Sequence, residues 1–526
     1  MLFKSPVRIA SSLSLCTRLI GEYSLRTKQL PRFYGRRCLF SHLTAQHLRA
    51  MTLEGNTHET EQLIDLTPFP TLYCEENVVL HNIFTKYGFE LRMAGGAVRD
   101  VLLGIEPKDI DFATDAIPSQ MHEMFSKENI RLLNRNGEAH GTVTVRINDK
   151  INFEITTLRI DSEPDGRHCK VVFTDDWKLD AARRDLTVNS MFLKILMNTV
   201  PDFSRTTETS NSVDSLSCTE LVRHPVRGRV YDFFDGRADL KHRHIRFVGD
   251  PESRIREDYL RILRYFRFHG RLAKPNEMDV HDPETLKVIK ANGAGLAGIA
   301  GERCWAELRS ILLYPSTPLL LRRMFETELF PYLGLPENPN FSELDSVFKR
   351  GVLNRNPNSA TVLAGILSSL EEVETLNQRL KLSNFELMIL LYIIKYREQC
   401  ANLQMPNVLQ HYQRELLLSK EAPNKIRPVI TEMLNYIVCD PDLLVRWSAW
   451  EPPRFPVNGH ELLARWSLPP RAVGTHLAVL RQQWVDSDCS LTSDELLSDR
   501  NRTIVETSVC SVEREPLRPK AKKARR

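Results

Sequence analysis

Two glycines, an arginine and two aspartates lie within one short segment of the chain, RMAGGAVRDVLLGIEPKDIDFATD at positions 92–115. Gly95 and Gly96 allow the backbone to approach a ligand closely, because neither residue carries a side chain. The predicted helix that follows offers free N–H groups to an anion, and Arg99 in its first turn adds guanidinium donors suited to a phosphate. The first half of the segment is therefore typical of a phosphate-binding turn.

Asp109 and Asp111 form the second half of this pattern. Side chains two residues apart on a β-strand point to the same side, so the predicted strand DIDFAT presents both carboxylates together. Such neighbours repel each other unless a cation lies between them, and Mg²⁺ prefers carboxylates together with substrate phosphates. Two such ions about 4 Å apart can activate an attacking hydroxyl and stabilise a leaving pyrophosphate. Each half is a weak signal by itself, but their succession indicates a site for metal-bound phosphates.

The residues from 72 to 245 alternate between strand-like and helix-like patterns, which predicts a small mixed β-sheet with flanking helices. Helices are predicted for AVRDVLLG and for IPSQMHEMFSKE, where Pro118 lies near the first turn. Residues 148–150 are expected to form a hairpin loop, and residues 160–175 a loop that turns at Asp165–Gly166. Strands are predicted for FELRMA, DIDFAT, GTVTVRI, INFEITTLRI, NSMFLKIL and GRVYDFFDG.

The rest of the chain has a different character. Residues 198–228 are rich in Ser and Thr with little apolar periodicity, so we expect a surface insertion there, whose role the sequence leaves open. From about residue 250 to 485 helical periodicity dominates. The predicted fold class is α+β, with a mixed-sheet head followed by an all-helical region.

Composition restricts the classes of function. The 526 residues carry a net charge of only +4, so any nucleic-acid surface must be a local patch. Ten cysteines without a CxxC pair argue against a zinc ribbon or a disulfide scaffold. The most apolar segment, Leu387–Tyr396, is too short to span a bilayer and predicts a buried helix, so no membrane partner is expected.

Both ends of the chain are basic. Residues 1–50 contain many Arg, Lys and Ser with Glu22 as their single acid, which is typical of a mitochondrial transit peptide. Met51 could serve as a second start and produce a cytoplasmic or nuclear form without this segment. The tail at 511–526 ends in PKAKKARR, which is either a nuclear signal or a solvated end.

The GGxVRD and DxD motifs resemble those of the polymerase-β-type nucleotidyltransferases, and more narrowly those of the class II CCA-adding enzymes. Further matching stretches are RRDLTVNSM, DFFDGRADLKHRHIRFVGDP, EDYLRILRYFRF, GLAGIAGERCWAELRSIL and VNGHELLARWSLPPRAVGTHLAVLRQQW. Together they cover about residues 70 to 490. The long insertion after Leu196 departs from the family pattern, whereas Leu186 and Val188 are conservative changes.

The resemblance implies an organisation and a reaction. It implies a catalytic head at 72–245, a neck at 246–330 that recognises the nucleotide base, a body at 331–425 and a tRNA-binding tail at 426–510. The implied reaction is template-independent addition of CCA to the 3′ end of tRNA, using CTP twice and ATP once with release of pyrophosphate. The alternatives are a poly(A) polymerase with the same head and a non-catalytic RNA-binding derivative, for which loss of a DxD carboxylate would be expected. The oligomeric state remains open.

The resemblance also assigns roles to individual residues. Asp109 and Asp111 are the expected catalytic residues and Mg²⁺ ligands. Glu154 is either a third carboxylate near the metal or a partner of Arg159, and it is left out of the metal set. The expected nucleotide-binding residues are Gly95, Gly96, Arg99, Arg184, Asp258, Arg261, Arg264 and Arg267.

The helix EDYLRILRYFRF suggests how bases could be selected without a template. Cytosine and adenine both present an amino donor beside a ring-nitrogen acceptor, which Asp258 and Arg261 could match. Uracil and guanine reverse that pattern. The alternative is that the acidic and basic residues of this helix form ordinary surface ion pairs, which are worth about 0.3–0.5 kcal/mol each.

Overall fold

The computed structural model describes residues 62–133, 137–165, 168–199, 225–272, 281–401, 407–419, 421–437 and 440–513. The expected transit peptide at 1–50, Met51, most of the 198–228 insertion and most of the basic tail lie outside these residues. The described residues fall into two compact units, one that ends at Glu337 and one that begins at Asn338.

The first unit contains all the strands of the described residues. Eight strands form one mixed sheet in the order β1-β10-β9-β2-β3-β6-β5-β4, and β7 pairs with β8 as a separate hairpin. Within the large sheet only β3 and β6 run parallel. The strands are β1 (Gln62–Asp65), β2 (Leu91–Ala94), β3 (Asp111–Thr114), β4 (Arg131–Leu132), β5 (Thr142–Ile147), β6 (Ile151–Thr157), β7 (Arg159–Asp165), β8 (His168–Phe173), β9 (Phe192–Ile195) and β10 (Arg227–Tyr231).

Helices flank this sheet and continue beyond it. The first and third helices both contact β5, and Phe84 and Phe125 pack edge to face with ring centroids 5.9 Å apart. The helices of this unit are α1 (Glu75–Tyr87), α2 (Gly96–Leu102), α3 (Pro118–Lys127), α4 (Trp177–Ala182), α5 (Gly236–His242), α6 (Pro251–Glu257), α7 (Leu260–Leu272), α8 (Pro283–Asn292), α9 (Gly301–Ile311), α10 (Thr317–Glu326) and α11 (Phe330–Leu333).

The second unit is helical throughout its described residues. One of its apolar clusters is built around Leu462, Trp466, Leu480 and Trp484, all of them buried. Its helices are α12 (Phe341–Lys349), α13 (Ser359–Leu363), α14 (Leu370–Leu380), α15 (Asn384–Ala401), α16 (Asn407–Leu418), α17 (Pro423–Ile437), α18 (Pro441–Ala449), α19 (Gly459–Trp466), α20 (Val473–Asp486), α21 (Ser493–Leu496) and α22 (Asp499–Glu513).

The predicted α+β fold is confirmed: a mixed sheet with flanking helices comes first, and helices follow. The apolar segment Leu387–Tyr396 lies within α15, as predicted, and most of its side chains are buried. No helix among the described residues has the length and apolar content needed to cross a membrane.

Two local predictions were wrong. The stretch at 160–175, which was expected to be a loop, instead contains most of the β7–β8 hairpin. Gly166, where the turn was expected, lies outside the described residues. The predicted strand INFEITTLRI is also interrupted at Leu158, where the chain passes from β6 of the large sheet to β7 of the separate hairpin.

Candidate active site

The glycine turn connects the centre of the sheet to a helix, as the sequence predicts. β2 ends at Ala94, and Gly95 has a φ of 66°, in the region that favours glycine. A Cβ atom at Gly95 would lie 3.1 Å from a guanidinium nitrogen of Arg184. The turn thus runs directly against Arg184, and α2 begins at Gly96.

Arg99 lies beneath this turn and is only 3% exposed. Its Nη1 donates to the Asn189 side-chain oxygen at 2.5 Å, and its Nη2 donates to Asp100 at 2.9 Å. A Cβ atom at Gly96 would lie 3.5 Å from Arg99 Nη2. Arg99 therefore supports the glycine turn directly, and burial lowers the pKa of its guanidinium.

The two aspartates of the DxD motif are not on the same strand, which corrects one step of the prediction. β3 begins at Asp111, and Asp109 lies in the bend before it. The physical reason is that β2 ends at the Gly95 turn, so no strand remains on that side to pair with residues before Asp111. Asp109 is not among the residues that line the cavity described below.

Asp111 nevertheless lies in a crowded acidic environment. The surrounding protein removes water from its carboxyl group and raises its pKa, and the negative charges of Glu154 and Asp109 raise it further. Glu154 is directly opposite Asp111 in the parallel pairing of β3 with β6. Arg159, the other partner considered for Glu154, forms an ion pair with Asp161 at 3.3 Å. A cation at this position would relieve the repulsion among the three carboxylates.

The helix expected to carry all four nucleotide-reading residues is interrupted. α6 ends at Glu257 and α7 begins at Leu260, so Asp258 lies between two helices with an extended backbone at φ −152°. Its Oδ1 accepts from the Leu260 N–H at 3.1 Å and its Oδ2 from Arg303 at 3.0 Å. Asp258 thus caps the start of α7, where a short carboxylate satisfies a free N–H group.

Arg261 has different partners from Asp258. Its Nη1 donates to Glu257 at 2.5 Å and to the backbone oxygen of Arg254 at 2.8 Å. The predicted alternative of an ordinary Glu257–Arg261 ion pair is therefore present. It lies at the wall of a cavity, where the remaining donors of Arg261 can serve a ligand.

Arg264 and Arg267 lie further along α7 and are held by acidic side chains from other elements. Arg264 Nε donates to Asp185 Oδ2 at 2.6 Å. Burial alone would raise the pKa of Asp185, but the charge of Arg264 keeps it below its usual value. Arg267 Nε lies 2.9 Å from Glu307 Oε2 of α9. These contacts orient both guanidinium groups without using all of their donors.

The structure brings nearly all the predicted site residues together around one cavity of about 640 Å³. Nine arginines line it against five carboxylates, so its walls favour an anionic ligand such as a triphosphate. The predicted residues that line it are Gly95, Gly96, Arg99, Asp111, Arg184, Asp258, Arg261, Arg264 and Arg267.

Several residues of the cavity were not predicted as site residues, and Glu154, Arg271 and Arg303 are three of them. Glu154 was considered and left out. The available signal was the alternation of polar and apolar residues in INFEITT, which places Glu154 on the opposite side of β6 from Phe153 and Ile155. Arg271 continues the helical spacing of Arg264 and Arg267, and it binds Asp100 at 2.8 Å. Arg303 is brought in from α9, and no spacing in the sequence connects it to Asp258.

The donor set is suitable for a hard divalent cation. Among the described residues, no three His, Cys, Asp or Glu side chains form a group able to hold a metal ion by themselves. Mg²⁺ typically takes one or two carboxylates and completes its shell with water and substrate phosphates. Asp111, with the charges of Asp109 and Glu154 beside it, matches that requirement.

The chain is similar to known protein families and solved structures. Residues 91–209 match the family described as Poly A polymerase head domain, and residues 281–338 match the one described as "Probable RNA and SrmB- binding site of polymerase A". The crystal structure of the Bacillus stearothermophilus CCA-adding enzyme in complex with CTP is similar with a TM-score of 0.56 at 22% identity, covering 82% of this chain and 98% of that one. At that identity the similarity concerns the fold alone.

Sequence relatives extend over more of the chain. The mitochondrial CCA tRNA nucleotidyltransferase 1 of Danio rerio is 40% identical over 457 residues, which cover 87% of this chain and 95% of that protein. The protein of the same name from Homo sapiens is 41% identical over 437 residues, which cover 83% of this chain and 92% of that protein. Identity of this level over almost the whole length of its relatives shows that the chain belongs to the CCA tRNA nucleotidyltransferase family.

Proposed function

We propose that this protein adds the 3′-terminal CCA to tRNA without a nucleic-acid template. It uses CTP twice and ATP once, and each addition releases pyrophosphate. The observation that carries the proposal is the single cavity in which Asp111 of the DxD motif, the glycine turn and Asp258 meet nine arginines. Family membership supports the same reaction.

Nucleotidyltransferases of this kind use a divalent metal ion, and we propose that it is Mg²⁺ held by Asp109 and Asp111. Glu154 is close enough to Asp111 to act on its charge and is a candidate for a third carboxylate there. When bound, Mg²⁺ supplies charge neutralisation at the attacking 3′-hydroxyl and the leaving pyrophosphate. Asp109 and Asp111 are thus the proposed catalytic residues.

The glycine turn and its arginines are proposed to orient the triphosphate. Gly95 and Gly96 leave room for close approach, Arg184 lies against the turn, and Arg99 supports it from below. Arg264 and Arg267 add charge from α7 and are fixed by Asp185 and Glu307. Nucleotidyl transfer depends mainly on such positioning and charge stabilisation.

Asp258 and Arg261 are the proposed readers of the base. The Asp258 carboxylate can accept from the exocyclic amine of cytosine or adenine, while Arg261 donates to the adjacent ring nitrogen. Uracil would set a carbonyl against Asp258 and an N–H group against Arg261. In sites built to hydrogen-bond their substrate, mispaired groups of this kind can reduce the rate by a factor of about 10⁴ or more.

The proposed organisation follows the family. The head at 72–245 and the neck at 246–330 contain the residues of the cavity. The helical body at 331–425 and tail at 426–510 are proposed to hold tRNA by its shape and backbone, as folded RNA is generally held. The names of the relatives support a mitochondrial location, and we propose a second, cytoplasmic or nuclear form that starts at Met51.

The direct test supplies purified protein with a tRNA that lacks its CCA end. We expect CTP alone to add two residues, ATP alone to add none, and both together to produce CCA. Sequencing of the product ends distinguishes the candidates, since a poly(A) polymerase would extend the same RNA with a run of A from ATP alone. An absence of extension with both nucleotides and Mg²⁺ would contradict the enzymatic proposal and favour a non-catalytic RNA-binding protein.

A further inference from the structure

Helix α9 presents two charged side chains to the residues proposed to read the nucleotide. Arg303 and Glu307 are separated by one helical turn and therefore lie on the same face of α9. Arg303 forms an ion pair with Asp258 at 3.0 Å, and Glu307 forms one with Arg267 at 2.9 Å. Each side chain meets a residue of opposite charge on the α7 side of the cavity.

The Asp258 carboxylate is held at both oxygens. Oδ1 accepts from the Leu260 N–H at 3.1 Å, and Oδ2 accepts from Arg303 Nη2 at 3.0 Å. A carboxylate has about four lone-pair sites, so two remain for a ligand. The Asp258 and Arg303 side chains are 21% and 29% exposed, so their pairing is partly shielded from water.

The backbone at Asp258 does not by itself fix this side chain. Asp258 lies outside both α6 and α7, so it lacks the constraint that neighbouring turns place on a residue inside a helix. An aspartate with two rotatable side-chain bonds can turn away from a base that presents the wrong group. A second anchor is needed if Asp258 is to reject such a base as well as accept the right one.

We infer that Arg303 is a positioning residue for base selection, because it fixes the Asp258 carboxylate in the orientation that accepts from the amino group of cytosine or adenine. The inference rests on the proposed role of Asp258. Arg303 acts through Asp258 and does not read the base. Its loss should lower the rejection of UTP and GTP more than it lowers the use of CTP and ATP.

The test compares Arg303→Met with the parent enzyme. The measured quantity is kcat/KM for CTP divided by kcat/KM for UTP on tRNA lacking CCA, together with the corresponding ratio for ATP and GTP on tRNA that already ends in CC. Loss of a partner that orients a metal ligand typically costs about 10- to 100-fold, and by analogy we expect each ratio to fall about tenfold or more. Arg309→Met is the matched control, since Arg309 is an exposed residue of the same helix, and it should leave both ratios unchanged.

Rescue and folding are measured on the same proteins. Asp258 and Arg303 share one hydrogen bond. The amine of Arg303→Lys can donate one hydrogen bond to Asp258, so this variant should keep part of the selectivity that Arg303→Met loses. Arg303→Gln provides a neutral donor if the methionine variant does not fold, and thermal unfolding is recorded for each variant. An unchanged selectivity ratio in folded Arg303→Met or Arg303→Gln would overturn the inference.

The double variant Asp258→Ala/Arg303→Met separates this inference from the proposed function. If Arg303 acts through Asp258, the double variant should have the selectivity of Asp258→Ala alone. If Arg303→Met lowers kcat/KM equally for all four nucleotides, both in the parent enzyme and in Asp258→Ala, then Arg303 contacts the nucleotide directly. That result would overturn the positioning role. If Asp258→Ala loses selectivity and Arg303→Met does not, the inference alone fails. Selectivity retained in Asp258→Ala would contradict the proposed base reading as well.

Discussion

At the scale of single residues, Asp111 is notable because its carboxylate lies among other carboxylates. It begins β3, faces Glu154 across the parallel pairing, and lies near enough to Asp109 for that charge to raise its pKa. A carboxylate kept among other carboxylates is unfavourable unless a cation binds there. This environment supports the metal binding proposed for Asp111.

We expect Asp111→Ala to abolish addition of both C and A while leaving tRNA binding nearly intact. Both additions share the same chemistry, and the substitution removes a proposed metal ligand without changing a basic surface. Extension assays and equilibrium tRNA binding measure the two properties separately. Glu123→Ala is the control, because Glu123 is an exposed carboxylate of the same unit with a side chain that is 67% exposed. Robust incorporation of either nucleotide by the Asp111 variant would refute the metal assignment.

At the scale of elements, the break between α6 and α7 gives Asp258 its position. The residue after Asp258 is Tyr259, and its ring packs against the backbone of Gly295. A Cβ atom at Gly295 would lie 2.1 Å from two carbon atoms of that ring. The break therefore depends on a glycine in a different element, the short helical turn Gly293–Gly298.

We expect Gly295→Ala to destabilise the protein by about 1–3 kcal/mol, because the added methyl group must displace the Tyr259 ring. We also expect the displacement to raise KM for CTP and ATP, since Asp258 is adjacent to Tyr259. Chemical denaturation and steady-state kinetics measure these effects. Gly298→Ala is a matched control in the same turn, since its Cβ atom would meet nothing within 4 Å. Equal behaviour of the two variants would contradict the packing argument.

The helix α16 contains a buried carboxylate that makes stability depend on pH. Glu415 is 7% exposed, and burial raises its pKa to about 7. His411 Nε2 lies 3.9 Å from Glu415 Oε2, but burial lowers the pKa of His411, so this neighbour is largely neutral at pH 7. The folded protein therefore keeps the Glu415 proton to a higher pH than the unfolded chain does.

The sign of the effect follows from linkage. Between pH 4.5, the ordinary pKa of the group, and about pH 7, the folded state binds more protons at Glu415, so the free energy of unfolding falls as pH rises. We expect the stability of Glu415→Gln relative to the parent to increase from pH 4 to pH 8, by at most about 3 kcal/mol. Denaturation across this range measures it, with Glu374→Gln, an exposed site on α14, as the control. A difference that does not change with pH would contradict the assignment.

At the scale of the whole molecule, positive charge is concentrated in particular parts of the chain. The full chain has a net charge of only +4, whereas nine arginines converge on one cavity. A second concentration of positive charge lies in residues 1–50, where Glu22 is the single acid. The first concentration suits a triphosphate, and the second suits import into mitochondria.

We expect a fluorescent fusion of the form that starts at Met1 to enter mitochondria and one that starts at Met51 to remain outside. The reason is the acid-poor basic segment, which only the longer form carries. Microscopy and cell fractionation measure the distribution. The matched control is Arg8→Glu/Arg18→Glu in the longer form, which reverses charge without shortening the chain. This variant should remain outside mitochondria if the basic charge is what directs import. A cytosolic Met1 form would rule out the transit peptide.

The sequence alone was sufficient for the local features of the site. Spacing and residue type predicted the turn at Gly95 and Gly96, the helix α2 and the strand that carries Asp111, because short-range geometry determines which side chains a turn or strand presents. Family motifs supplied the set of arginines on α7, and the structure brings them to the same cavity as the glycine turn.

Which residues of these parts contact one another was decided by the tertiary structure alone. Glu154 faces Asp111 because β6 pairs in parallel with β3, and Arg303 reaches Asp258 because α9 packs beside α7. The break at Asp258 depends on Tyr259 and Gly295, which are 36 positions apart in the sequence. Periodicity describes one element at a time, whereas strand register and helix packing are determined by contacts between distant segments. Those contacts supply the distant partners of Asp258, Arg264 and Arg267.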